Sequence, residues 1–284
     1  MRVLVAGGSG FVGSAVVERF LKEPDSRVWV LTRNPERARR LLPEGVELIN
    51  LSEGWERVSE RLKELGPEVV VNSVGILFER ESTFEEVHVE FLKRLLEALR
   101  GLDLRRFVQI SACGVGRASF SRYLTTKEEA ERLVRNSGFP YAILRPSIVV
   151  GRRQLLFRQL KAVAPFLPVL FVPRTVVQPL SVLDLAEAVF RVSTDEAFKN
   201  AVCELGGPRV TTMGELVRRA LEYLGYRRWV VELPWWVFVP AAPILKLLGF
   251  GDLETVKLAR LKNACPEDNC LPKLVGRPRD PFDF

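Results

Sequence analysis

The chain has 284 residues, 47% of them hydrophobic, and a formal net charge of +7. That length holds one large domain with an extension, or two domains, and neither an eighteen-residue apolar run nor a secretory leader is seen, so the expected location is the cytoplasm. Lys and Arg are spread along the chain without a nucleic-acid-binding motif; the charge therefore favours an acidic ligand or an anionic membrane surface over nucleic acid.

Arg2–Ala6 reads as a buried strand, followed by Gly7-Gly-Ser9-Gly10-Phe11-Val12-Gly13 and a helix over Phe11–Lys22. A glycine turn between strand and helix lets backbone N–H groups approach a pyrophosphate, with the helix N-terminus supplying partial positive charge. Arg27–Thr32 is a second strand, and its tip, Thr32-Arg33-Asn34-Pro35, carries no acid. An acid there would bind the ribose hydroxyl of NAD, whereas a basic residue suits the extra phosphate of NADP. Arg33, supported by Arg37, thus points to NADP(H), with NAD(H) still admissible.

Val46–Asn50 is a third strand, placing Asn50 and Leu51 beside an adenine pocket. A helix over Trp55–Leu65 ends at Gly66-Pro67, and Glu68–Asn72 forms a strand running into Ser73-Val74-Gly75. That small-residue turn faces the cofactor, since ligands lie beyond the carboxyl ends of such strands. Phe84–Leu99 is an amphipathic helix with His88, the chain's single histidine, near its apolar face.

Arg106–Ser111 is a strand ending in Ser111, and a helix opening at Tyr123 runs to about Asn136. Tyr123 and Lys127, four residues apart, share one face of that helix. A free tyrosine titrates near ~10, too high for acid–base work at neutral pH, and a neighbouring ammonium can lower it. Ser111 would then orient a substrate oxygen beside Tyr123. Tyr141–Arg145 is a sixth strand, followed by Pro146-Ser147.

The alternation of strands and helices predicts an α/β fold with a doubly wound parallel sheet. Residues 1–150 form the dinucleotide-binding domain and 151–284 a smaller substrate or interaction region partly interleaved with it. In that region, Arg152–Val163 reads as a basic helix and Pro165–Pro179 as extended loop. Ser181 caps a further helix, Ala201–Leu205 is a late strand, and Thr211 or Thr212 caps a helix through Tyr223. The aromatic, apolar stretch 233–250 is broken by prolines and cannot be one spanning helix. It suits packing against the main domain or a second copy, or a peripheral contact with a membrane or membrane complex. Cys113 and Cys203 read as buried, inert thiols; Cys265 and Cys270 are close enough for a local disulfide, and their spacing does not make a metal site.

These residues resemble the short-chain dehydrogenase/reductase superfamily in its extended or atypical branch. The resemblance rests on Gly7 to Gly13, Asn72-Ser-Val-Gly75, Ser111, Tyr123 with Lys127, Leu144-Arg-Pro146-Ser147 and Pro179-Leu-Ser-Val-Leu-Asp184-Leu-Ala, in the family's order over residues 1–225. The short span from Ser111 to Tyr123 and the tail Leu253-Glu-Thr-Val-Lys-Leu…Leu271-Pro-Lys-Leu-Val-Gly look most like the nucleotide-binding accessory subunits of respiratory complex I and their prokaryotic relatives.

The resemblance implies a Rossmann-like sheet with helices on both faces, NADP(H) over NAD(H), and a substrate cleft between the two regions. It also implies a Ser111–Tyr123–Lys127 triad for hydride transfer or epimerase chemistry. The cofactor would touch Gly7, Ser9, Gly10, Phe11, Val12, Gly13, Arg33, Asn50, Leu51, Ser73, Val74, Gly75, Lys127 and Pro146. A noncatalytic, NADPH-holding role beside a membrane complex is the competing implication. The chain departs from the family pattern at His88, where extended members usually carry Asn, and at Asn50, where relatives often carry Asp.

Overall fold

Strands buried on both faces read as continuous apolar runs rather than as alternating ones, and Val3-Leu-Val-Ala6 is such a run, with no exposed surface. In the computed structural model, which describes residues 1–247, 249–265 and 267–284, it is an interior strand of a seven-stranded parallel sheet. The elements in chain order are β1 (Arg2–Ala6), α1 (Phe11–Leu21), β2 (Arg27–Thr32), α2 (Pro35–Leu41), β3 (Val46–Asn50), α3 (Trp55–Leu65) and β4 (Val69–Asn72). After them come α4 (Phe91–Ala98), β5 (Arg106–Ile110), α5 (Arg122–Arg135) and β6 (Tyr141–Pro146). The later half adds β7 (Val149–Val150), α6 (Leu155–Val163), β8 (Val169–Pro173), β9 (Val176–Val177), β10 (Leu180–Ser181) and α7 (Val182–Thr194). It closes with β11 (Ala201–Leu205), β12 (Thr211–Thr212), α8 (Met213–Tyr223), β13 (Trp229–Leu233), α9 (Ala242–Leu247), α10 (Leu253–Leu258) and α11 (Leu271–Val275).

The sheet runs β11-β6-β5-β4-β1-β2-β3, so the strand order reverses between β1 and β4. Crossovers leave in opposite directions there and open a crevice at the carboxyl ends of the two strands. Alternate residues of β1 serve opposite layers. Val3 and Val5 pack with Val16, Val17 and Phe20 of α1, with α7, and with Leu271 and Leu274 of α11. Leu4 and Ala6 pack with Val58 and Leu62 of α3, Leu92 and Leu95 of α4, and Ala130 and Val134 of α5. A separate cluster joins Phe157 and Leu160 of α6 to Leu216, Val217 and Ala220 of α8.

Caps follow the side chains available: Ser181 accepts from the N–H of Leu183 to start α7, and Thr212 from that of Glu215 to start α8. Two expectations change. Pro165–Pro179 is not plain loop, because β8 pairs in parallel with β13 and β9 antiparallel with β12; both partners come from far along the chain, so local sequence carries no sign of the pairing. The helix expected over 84–99 begins as a wide-turned π segment, Glu85–Glu90, before α4. Wide turns of this kind are frequent at functional sites, and this one carries His88.

Cys265 and Cys270 do not form the local pair their spacing suggested. The four thiols are free, and the two face different partners, Cys113 and Cys203 respectively. No helix among the described residues is long and apolar enough to cross a membrane.

Candidate functional site

The glycine turn is built by close approach. Gly7 takes φ +78°, open to glycine at little cost, and the Gly10 N–H closes the turn on the Gly7 carbonyl at 2.9 Å. A Cβ on Gly13 would stand 2.2 Å from the Gly7 carbonyl oxygen, so only glycine lets α1 lie this close to β1. Gly10 is the N-cap of α1 and supplies no side-chain bond to the first turn. The first-turn N–H groups are therefore available to an outside acceptor, as a pyrophosphate requires.

Over the ends of β1, β2 and β4 lies a cleft of about 860 Å³. Of the residues expected to touch a nucleotide, Gly7, Ser9, Gly10, Arg33, Leu51, Ser73, Val74 and Gly75 line it, together with Arg37. Ser73 is held by donating to the Ala6 carbonyl at 2.8 Å, and the Val74 N–H bonds Asn72 Oδ1 at 3.2 Å. Arg33 and Arg37 are exposed and form no ion pair among the described residues. A dinucleotide fits this cleft on three counts: uncapped N–H groups at one wall, two uncommitted guanidiniums at another, and a strand end without a carboxylate.

Of the other expected contacts, Phe11, Val12 and Gly13 form the first turn of α1 beside the lining Gly10, while Asn50, Lys127 and Pro146 are outside the lining. The Asn50 side chain accepts from the Ser52 N–H and caps the turn Leu51–Glu53, and Phe11 lies against Gly151. Sequence reasoning missed Thr32, Asn34, Trp55, Ile76, Val87, Glu90, Phe91 and Arg94, which do line the cleft. Val87, Phe91 and Arg94 lie on one helical stripe, while Leu92, Leu95 and Leu99 on another enter the core. The helical periodicity was visible, but it merged the two stripes into one apolar face.

Tyr123 and Lys127 stand on α5, started by Ser121 accepting from the Leu124 N–H. The Lys127 ammonium is buried and donates to the Ile110 carbonyl at 3.3 Å. A Cβ on Gly75 would come within 3.0 Å of its Nζ, so the ammonium underlies the cleft wall at Gly75. Burial lowers Lys127 to about 8, against the opposing pull of Glu131 one turn along. The Tyr123 ring meets Phe84 and His88 edge-on, with centroids 5.7 and 5.6 Å away. Burial pushes its phenol up to about 12, and no charge or hydrogen bond offsets that. The expected lowering of Tyr123 by Lys127 is thus not seen.

Ser111 is engaged elsewhere. Its hydroxyl donates to Glu131 Oε1 at 2.6 Å, and the same buried carboxylate receives Arg145 at 2.7 and 2.8 Å and Arg135 at 2.8 Å. Burial alone would raise Glu131, but the bonds from Arg145 and Ser111 override it and hold the carboxyl below its ordinary value. His88 is enclosed. Its Nε2 accepts from the Ile76 N–H at 3.2 Å, and its Nδ1 is 2.9 Å from Thr126 Oγ1. The Thr126 hydroxyl donates to the Arg122 and Tyr123 carbonyls, so we assign the ring proton to Nδ1. Burial and the Lys127 charge drive His88 down to about 2.

Fold and cleft together define a dinucleotide-binding α/β protein. Residues 7–156 match the model of the NAD(P)H-binding family, more than half of the chain. The chain belongs to that family.

Among curated proteins it is 28% identical over 242 residues to the NADH dehydrogenase [ubiquinone] 1 alpha subcomplex subunit 9 of Arabidopsis thaliana, covering 81% of this chain and 60% of that one. It is 27% identical over 179 residues to the NADH-ubiquinone oxidoreductase 40 kDa subunit of Neurospora crassa, covering 63% and 48%. The chain thus spans about half to three-fifths of the length of these relatives. Among solved structures it is similar to the NADPH-dependent quinone oxidoreductase QOR2 of Escherichia coli complexed with NADPH (17% identity, 99% of this chain and 97% of that one, TM-score 0.76). It is also similar to the Thermus thermophilus UDP-glucose 4-epimerase complexed with NAD (24%, 82% and 86%, 0.68). At these identities the structures establish the fold.

Proposed function

We propose that this protein binds NADP(H) in preference to NAD(H) and acts as an oxidoreductase, or as an epimerase working through transient oxidation, on a small-molecule substrate. The observation that carries the preference is the end of β2, where Arg33 and Arg37 line the cleft and no acid stands at the tip. The N-terminal turn of α1 would hold the pyrophosphate, and the two guanidiniums would hold the extra phosphate. When bound, the nicotinamide supplies a hydride donor or acceptor. Lys127 holds the adjoining ribose and keeps a positive charge near Gly75. Tyr123 exchanges a proton with the substrate oxygen. Ser111, bonded to Glu131, acts here as a support for α5, so the proposed reacting pair is Tyr123 and Lys127.

Arg33→Ala should weaken NADPH binding by roughly 10- to 100-fold, the worth of one charge-assisted hydrogen bond, and leave NADH binding nearly unchanged. Fluorescence titration at fixed salt reads this directly; equal losses for both nucleotides would sink the preference. Tyr123→Phe should abolish turnover with a verified substrate while nucleotide affinity stays within a few-fold.

A second reading is favoured by one feature: Trp236, Ile244 and Leu247 are strongly exposed in the 233–250 stretch. In that reading the chain holds NADPH as a structural ligand and sits peripherally on a membrane or membrane complex, as the names of its curated relatives would suggest. NADPH release at about 10 s⁻¹ or faster would support the enzyme. Release over many minutes, with flotation on anionic liposomes lost in Trp236→Ala/Leu247→Ala, would support the structural role.

A further inference from the structure

We infer that the four cysteines form two long-range disulfide-forming sites, Cys113 with Cys265 and Cys203 with Cys270, through which a small-molecule disulfide staples the C-terminal segment to the sheet. The two sites stand apart from the nucleotide cleft and do not depend on its chemistry.

The segment between α10 and α11 is laid along the sheet by backbone and side-chain hydrogen bonds. The Cys270 N–H reaches the Glu204 carbonyl at 2.9 Å, Asn269 bridges Gly206 at 2.8 and 3.0 Å, and Cys265 N–H reaches Gln178 Oε1 at 3.0 Å. This brings Cys270 to β11 beside Cys203 and Cys265 beside Cys113, with the Cys113 and Cys265 sulfurs within 4.8 Å of each other. A bridge needs sulfurs on two close backbones; the Cys270–Glu204 bond sets the segment against β11, and the Gln178 side chain holds Cys265 in place. Glu204 is the third donor near Cys113 and Cys265, but its carboxylate already pairs with Arg117 at 2.8 Å and lies 3.6 Å from Arg145. That neutralisation and a count of three donors among the described residues disfavour a metal there.

Only Cys270 keeps exposed surface. The Cys203 S–H and the Lys273 ammonium hold its thiol below the ordinary value, so it is the entry point. The Cys270 thiolate attacks the small disulfide, forming a mixed disulfide and expelling one thiolate. The Cys203 sulfur, losing its proton to solvent, then attacks Cys270 and expels the second. Two cysteines are oxidised, and one small disulfide is reduced to two thiols. Cys113 and Cys265 are both buried, so their bridge closes while the segment is undocked.

The reduced full chain is incubated with oxidised glutathione at about pH 8, where thiolates are populated, then blocked with a maleimide under denaturing conditions and mapped by mass spectrometry. Cys203–Cys270 should appear first in the native protein. Cys113–Cys265 should follow on refolding in the same buffer, with a total rise in Tm of roughly 5–10 °C that a dithiol reductant reverses. Cys270→Ser, at the partly exposed position, should remove the first bridge and spare the second; Cys203→Ser should do the same. A Cys265–Cys270 bridge, four thiols that stay alkylatable throughout, or copurified zinc shielding Cys113 and Cys265 would overturn the assignment.

Discussion

His88 is the chain's single histidine, and the structure buries it. Held near pKa 2 in the fold and near ~6.5 when unfolded, it takes up a proton only on unfolding over the interval between. There the unfolded state binds more protons, so stability rises with pH and is lost as pH falls through ~6.5. Between pH 6.5 and 5 the ordinary carboxylates are still mostly ionised, which leaves His88 as the main contributor. About 1.5 kcal/mol should disappear over that window, with the slope rising toward ~1.4 kcal/mol per pH unit as the unfolded histidine becomes fully protonated, and urea midpoints for the wild type and His88→Gln at both pH values check it. A wild-type curve as flat as the variant's would mean that the ring is hydrated.

Ser111 is argued at the same scale. Ser111→Ala removes one hydrogen bond to a buried, charged Glu131 and should cost about 1.5–3 kcal/mol of stability, while NADPH affinity stays unchanged. A large fall in kcat with no change in Tm would return Ser111 to the reacting group. The residue type at the end of β5 was legible in the sequence; its partner was not, because Glu131 lies twenty positions away and is brought there by α5.

At the scale of the element, the β1–turn–α1 unit shows local sequence acting through steric limits. Gly13→Ala would place a methyl group 2.2 Å from a backbone oxygen that cannot swing aside, so α1 must lift from β1. We expect loss of measurable NADPH binding and a Tm fall of several degrees, read by titration and thermal melt. Full binding by the variant would show that α1 can slide without cost. By contrast, β8 and β13 become strands only when they meet, Val169 opposite Trp229 through Leu233 opposite Pro173. Each alone is a short apolar run bounded by Pro, Gly or Arg, which local pattern cannot tell from loop.

At the scale of the molecule, the C-terminal segment is part of the core. Leu271 is fully buried between α11 and α7, so Leu271→Ala should cost about 2–5 kcal/mol, detectable as a lower urea midpoint with a single transition. An early, separate transition would mean that the segment melts on its own. β11, from the same later half, forms the edge of the main sheet beside β6; a boundary drawn at residue 150 therefore marks a change in sequence pattern and does not separate two sheets.

The sequence by itself determined the βα alternation, the parallel sheet it demands, the glycine turn and the basic tip of β2, because these are set by period, by steric exclusion at Gly7 and Gly13 and by the charge of a few adjacent residues. The tertiary structure alone decided which face of α4 meets the cleft, that Ser111 bonds Glu131, that His88 stays neutral and which cysteine meets which. Those outcomes depend on groups brought together from distant positions and on the burial that accompanies their meeting, and neither quantity is written in any local stretch of chain.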